Sequence, residues 1–290
     1  ASTGSVSLSG LFAGTFTPCL CNSHLEELAQ SICHGGWPAL MGRGIDAASE
    51  YLDAYFDAIL EVSIPKRGLE TSLAQRVATS LARNVGTAAT IRTLAGDVYP
   101  EQQFTETMAQ RVSTYVNAFK ELYVLEELPG WDAPIRSKTR LRTKPKRYYA
   151  DSSLAAALLQ LTPERLVEDG QLMGLLFESL CLHDLSVYAS ALPHVPRKPV
   201  KYYRDSDGLE VDAIIELRDG RWAGIEVKLG ENKVDEGIAT LRRLRRKISL
   251  NPAARNPTPT FMAVIVGAGS AAYYLKDDEV YVIPLAVLGP

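Results

Sequence analysis

Residues Lys201–Lys228 read KYYRDSDGLEVDAIIELRDGRWAGIEVK, and alternation divides them into strand, turn, strand, turn, strand. Asp207-Gly208 and Asp219-Gly220 supply the turns, because glycine adopts positive φ at no steric cost. In the middle strand Leu209, Val211, Ala213, Ile215 and Leu217 share one face, and Glu210, Asp212, Ile214 and Glu216 share the other. In the third strand Ala223, Ile225 and Val227 oppose Gly224, Glu226 and Lys228. A hairpin then brings Asp212, Glu226 and Lys228 to one side. The apolar run Ala213–Ile215 and the apolar frame of Gly224–Leu229 argue for a largely buried strand.

Two carboxylates a few ångströms apart repel each other unless a cation neutralises them, and Mg²⁺ or Mn²⁺ accepts such oxygen ligands. An aspartate, a gap of one hairpin, then Glu-x-Lys resembles the PD-(D/E)xK nuclease pattern. The resemblance implies Asp212 and Glu226 as metal ligands, with Lys228 orienting water or offsetting charge on a phosphate. The same residues also read as a solvated strand face with cross-strand ion pairs, and Glu-x-Lys by itself is common.

The chain has 290 residues, 46% of them hydrophobic, enough for two domains with sizeable cores. The net charge of −3 announces no nucleic-acid partner, but the basic residues are clustered. Arg136, Lys138, Arg140, Arg142, Lys144, Lys146 and Arg147 form one acid-free run, and Arg242, Arg243, Arg245, Arg246 and Lys247 form another. Local patches of this kind matter more than net charge for binding phosphate. No apolar run reads as a membrane span, and no secretory signal opens the chain. Four cysteines make no disulfide framework at this length. The default expectation is a cytoplasmic protein without a membrane partner. Cys19, Cys21, Cys33 and His34 invite a zinc reading, but their spacing is poor for a knuckle and the cysteines read as buried free thiols.

Ala1–Cys21 reads as irregular. A helix is predicted from Ser23, with Glu26 completing a capping box. Further helices are predicted at Ala47–Val62, Leu69–Asn84, Thr87–Val98 and Thr105–Leu122. Strands follow at Tyr123–Leu128 and Arg147–Ala150. Short helix, turn, longer helix and a two-stranded hairpin is the order of a winged helix. The polar face of Thr105–Leu122 is suited to a DNA groove, and the basic run suits a wing with Arg140, Arg142, Lys144 and Lys146 on phosphates. Packing without DNA contact is the other use of such a unit.

Asp151–Pro163 reads as a bridge, followed by a long helix at Gly170–Ser190, the three strands, a helix at Lys233–Leu250 and strands at Phe261–Val266 and Glu279–Leu285. The order α-β-β-β-α-β is that of restriction-endonuclease-like folds. In those folds the first helix often supplies a metal-binding acid, and Glu178 of GLLFESL matches that position. Arg204, beside Tyr202 and Tyr203, is placed to contact nucleic acid. No glutamine follows at the start of Lys233–Leu250, where several resolvase-like members carry one. Val264–Ala272, VIVGAGSAA, fits a dinucleotide glycine motif only formally, because no βαβ unit follows.

GGWPAL, YLDAYFDAIL, PKRYYADSSLAAAL, GLLFESL, YYRDSDGLEVDAII and GIEVK occur in this order, and together they resemble the C-terminal part of bacterial and archaeal AAA-type ATPases of the domain-of-unknown-function-4143 type. That resemblance implies a helical and winged-helix region at residues 1–150, then a PD-(D/E)xK nuclease-like α/β domain at residues 151–290. No G-x-x-x-x-G-K-[ST] occurs in the chain. The expected function is nucleic-acid association, with DNA as partner and Mg²⁺-dependent phosphodiester cleavage, coupled to an AAA ATPase domain. The alternative is a catalytically inactive module that binds nucleic acid or docks on the ATPase or a partner protein.

Overall fold

The computed structural model describes residues 5–134 and 136–290, except the side chains of residues 141 and 142. In chain order the elements are β1 (Val6–Ser7), α1 (Leu8–Phe12), β2 (Cys19–Ser23), α2 (Leu25–His34), α3 (Ile45–Ala58), α4 (Thr71–Arg83), α5 (Ile91–Val98), α6 (Glu106–Glu121), β3 (Leu125–Leu128), β4 (Gly130–Trp131) and α7 (Thr139–Arg142). They continue with β5 (Lys146–Tyr149), α8 (Ser152–Leu158), α9 (Pro163–Glu168), α10 (Gly170–Ser190), β6 (Val200–Arg204), β7 (Glu210–Glu216), β8 (Trp222–Gly230), α11 (Val234–Ser249), β9 (Phe261–Leu275), β10 (Val280–Pro284) and β11 (Leu288–Gly289). The chain is therefore mixed α/β, and the expected order α-β-β-β-α-β is present as α10-β6-β7-β8-α11-β9.

Two compact units cut across the expected boundary between residues 150 and 151. One comprises residues 1–28, 128–143 and 180–290, and the other residues 29–127 and 144–179. Backbone pairing explains the difference. β2 pairs with β9, β1 with β11, and β4 runs parallel to β6, so segments distant in sequence join the sheet unit. Ser23, expected to cap a helix, lies in β2. Its hydroxyl accepts the Gly269 N–H at 3.0 Å and is 3.2 Å from the Gly269 carbonyl.

The sheet runs β10-β9-β8-β7-β6-β4. Both expected turns hold, with Gly208 at φ +78° and Gly220 at φ +89°. Asp205 closes the first by accepting the Asp207 and Leu209 amides at 2.8 and 3.0 Å, and Lys247 of α11 bonds the same carboxylate. α11 lies on one face of the sheet through Val234, Ile238, Leu241, Leu244 and Ile248, the stripe its periodicity predicts, packed with Val211, Ile214, Trp222 and Val264. β8 and β9 are parallel, with α11 as the crossover between them. β9 runs on through the glycine-rich VGAGS, so those glycines lie within a strand and form no phosphate loop.

In the helical unit, α6 is capped by the Thr105 hydroxyl on the Met108 amide at 3.3 Å. Its buried face is Val112, Tyr115, Val116, Ala118 and Phe119, while Gln110, Arg111, Thr114 and Asn117 are exposed. β3 and β5 form a two-stranded sheet. Asp151–Pro163, expected to be a bridge, contains α8, capped by the Asp151 carboxylate on the Ser153 amide at 2.9 Å. The cysteines are free; burial first, then Glu164, pushes the Cys33 thiol up to about 11.

α10 is a 21-residue helix whose most apolar window has a mean hydropathy of 1.2, so by length and composition alone it could cross a membrane. It carries Glu178 and Asp184, and 44% of that window is buried within the protein.

Candidate functional site

The sheet places Asp212, Glu226 and Lys228 together, by a route that alternation alone does not describe. Between Lys201↔Ile214 and Tyr203↔Val211, β6 advances by two residues and β7 by three. The extra residue is a β-bulge at Asp212–Ala213, opposite Tyr202. Strict alternation puts Val211 and Ile214 on opposite faces; the bulge brings both into the core beneath α11.

The paired register of β7 and β8 runs from Glu216↔Trp222 to Ala213↔Ile225. One step further along the two strands come Asp212 and Glu226, and the Asp212 charge acts on Glu226. β8 continues against β9 as far as Gly230↔Ala268. The Val227 amide therefore needs a partner on the β7 side, and Asp212 Oδ2 accepts it at 2.9 Å. A carboxylate takes the place of a backbone carbonyl, and this fixes its orientation.

Glu226 is 3% exposed. The Lys228 ammonium donates to its Oε2 at 2.7 Å, while Oε1 is buried with no hydrogen-bond partner among the described residues. Burial first, then the Asp212 charge, pushes the Glu226 carboxyl up to about 8, against the pull of Lys228. A buried carboxylate oxygen with no donor is costly, and a neighbouring acid makes it costlier. A divalent cation relieves both penalties. Oδ2 of Asp212 and Oε2 of Glu226 are committed, so Oδ1 and Oε1 are the oxygens that would be offered to such an ion. Hard oxygen donors suit Mg²⁺ or Mn²⁺, with water or substrate filling the remaining positions.

Glu178, expected as a third ligand, lies in the helical unit. Its Oε1 accepts from the Lys146 ammonium at 2.9 Å and from the Tyr148 hydroxyl at 2.7 Å. Among the described residues no group of three or more His, Cys, Asp or Glu side chains is placed to hold a metal ion.

The expected phosphate contacts are also differently employed. Arg140 grips Glu216 with two bonds of 2.8 Å, and Lys201 binds the same carboxylate. Burial opposes ionisation of Glu216, but the hydrogen bonds of Arg140 and Lys201, and then their charges, hold it at about 2. Arg140 also lies over Trp131, its guanidinium carbon 5.7 Å from the ring centroid. The Lys146 side chain is only 4% exposed. Arg147 bonds Glu127 and the Ala89 carbonyl at 3.3 and 2.9 Å. Arg204, half-exposed, pairs with Glu210 at 3.5 Å. Lys144 has partners, and the Arg142 side chain lies outside the described residues. Charge sign alone could not reveal the pairings of Arg140, Lys146 and Arg147, because their acids lie 76, 32 and 20 positions away in sequence. On α11, Arg243 and Arg246 are exposed.

Residues 173–288 match the family described as Domain of unknown function (DUF4143), a domain typically found in the C-terminal region of AAA-ATPase-like proteins. Residues 25–165 match the family described as Domain of unknown function (DUF8612). No curated protein and no solved structure matches the chain.

Proposed function

We propose that the sheet unit is a restriction-endonuclease-like domain whose Asp212, Glu226 and Lys228 form a divalent-cation site acting on phosphodiesters, in a protein that works with an AAA ATPase domain. The observation that carries this reading is the partnerless buried Oε1 of Glu226, facing Asp212 and flanked by Lys228. Mg²⁺ or Mn²⁺ would supply polarisation of the phosphoryl group and a more acidic water. Asp212 and Glu226 hold the ion's position. The Lys228 ammonium, fixed by Glu226 Oε2, orients water or offsets charge developing on phosphate. On the same reading, α5, α6 and the β3–β5 pair form a winged helix, whose exposed Gln110, Arg111, Thr114 and Asn117 face DNA.

The test is metal-dependent cleavage of duplex, branched and single-stranded DNA by the purified chain, abolished by Asp212→Ala. Intact substrates across Mg²⁺ and Mn²⁺ concentrations would overturn catalysis.

One observation favours a second reading. Arg140, Lys146 and Glu178 are all spent on internal ion pairs, leaving the site two acids and few ready phosphate contacts. That arrangement suits a catalytically silent module that binds nucleic acid or docks on the ATPase. Binding of DNA without cleavage, weakening steeply with salt, would mark it as a nucleic-acid binder. Capture of the ATPase domain without DNA affinity would mark it as a docking module.

A further inference from the structure

Gly237 is the fourth residue of α11 and sits over β8 at Glu226. A Cβ built on it would lie 3.0 and 3.3 Å from the two γ-carbons of Val264 and 3.4 Å from the Cβ of Glu226. Its φ is not positive, so the backbone does not demand glycine here. A glycine inside a helix also costs about 1 kcal/mol relative to alanine. The close approach is what accounts for it. Val234 and Ile238, on either side, are buried in the core beneath α11, so the first turn of the helix closes down on the methylene stem of Glu226.

We propose that Gly237 is a positioning residue for the cation site: its lack of a side chain lets α11 seal the inner side of Glu226 and aim that carboxylate at Asp212. This rests on the reading of Asp212 and Glu226 as a cation pair. A side chain at residue 237 meets Val264 first, at 3.0 and 3.3 Å, so either that valine or the first turn of α11 gives by a few tenths of an ångström, and a helix displaced in this way shifts its seal on Glu226, whose Cβ lies 3.4 Å away. That is enough to spoil two oxygens that must meet one ion at about 2.1 Å. Gly224 supplies the comparison. It also lies beneath α11 on β8, and its Cβ would meet Leu244 and Leu241 at 3.3 and 3.5 Å, with no carboxylate among the contacts.

The experiment is calorimetric Mn²⁺ titration of the full chain as wild type, Gly237→Ala and Gly224→Ala, each with a urea melt. Gly237→Ala is expected to bind Mn²⁺ on the order of 10- to 100-fold more weakly, as is usual when groups supporting metal ligands are disturbed. Gly224→Ala changes stability and leaves the isotherm in place. Wild-type affinity in folded Gly237→Ala overturns the proposal. If that variant does not fold, Gly237→Ala/Val264→Ala relieves the nearer contact. Mn²⁺ affinity below that of Val264→Ala alone then supports the proposal, and equal affinity overturns it. The methylene NMR resonances of Glu226 without metal separate this inference from the cation reading. They move in Gly237→Ala and stay in Gly224→Ala even if no variant takes Mn²⁺. A wild type without Mn²⁺ affinity defeats the cation site, whereas unmoved Glu226 resonances defeat the role of Gly237.

Discussion

The Asp212 carboxylate accepts the Val227 amide at 2.9 Å, just where the backbone of β7 has stopped pairing with β8. One side chain thus completes a strand edge with one oxygen and points its charge at Glu226. The two roles separate by substitution. Asp212→Asn retains an oxygen for the Val227 amide, so it keeps most of the stability and loses Mn²⁺ binding. Asp212→Ala loses both, at a stability cost of about 1–3 kcal/mol for the stranded amide. Urea melts beside Mn²⁺ calorimetry check this, and equal stability losses in the two variants would refute it.

Glu226 gives the folded protein a pH dependence of definite sign. Its carboxyl is raised from 4.5 to about 8, so between those values the native state holds a proton that the unfolded state has released. Stability contributed by this group is full below pH 4.5 and is lost as pH rises through about 8. At most one proton is involved, or about 1.4 kcal/mol per pH unit. Urea melts of wild type and Glu226→Gln across this window check it, the variant having the flatter profile. Cation binding at neutral pH is accordingly expected to release a proton, seen as a buffer-dependent binding enthalpy.

Glu216 behaves in the opposite way. Arg140 and Lys201 hold it at about 2, below its ordinary 4.5, so its contribution is full above pH 4.5 and is lost as pH falls toward 2. Glu216→Gln removes that acid-side slope. Arg140→Ala leaves a half-buried carboxylate with one partner fewer and destabilises by about 3–5 kcal/mol. Acid titration followed by circular dichroism reads both.

The pairing of Glu178 with Lys146 predicts a structural role. Lys146→Ala leaves the part-buried Glu178 carboxylate with the Tyr148 hydroxyl but without the ammonium, and destabilises by about 3–5 kcal/mol, whereas an apolar pair such as Lys146→Met with Glu178→Leu comes out near neutral. Neither change is expected to move the Mn²⁺ isotherm. A folded double variant with weakened Mn²⁺ binding would instead assign Glu178 to the cation site.

Local pattern made several features legible in the chain. The α11 stripe, the two Asp-Gly turns, the helix from Thr105 and the order α10-β6-β7-β8-α11-β9 each depend on residues within a turn or two of one another. The juxtaposition of Asp212, Glu226 and Lys228 was legible for the same reason, because one short hairpin joins them. The bulge was not: nothing in LEVDAII distinguishes seven regular residues from six plus one. Nor were the small strands β1, β2, β4 and β11 legible, since two to five residues carry no periodicity and their partners lie up to hundreds of positions away. The basic run showed its charge without showing where its counter-charges sit.

The sequence by itself determined the hairpin and the chemical types gathered on it, because alternation and turn chemistry are local and strong. Tertiary structure decided which acid is buried, which basic side chains are already occupied, and which groups Glu178 bonds. Burial and ion pairing depend on distances between segments that the covalent chain leaves free, and only packing sets those distances.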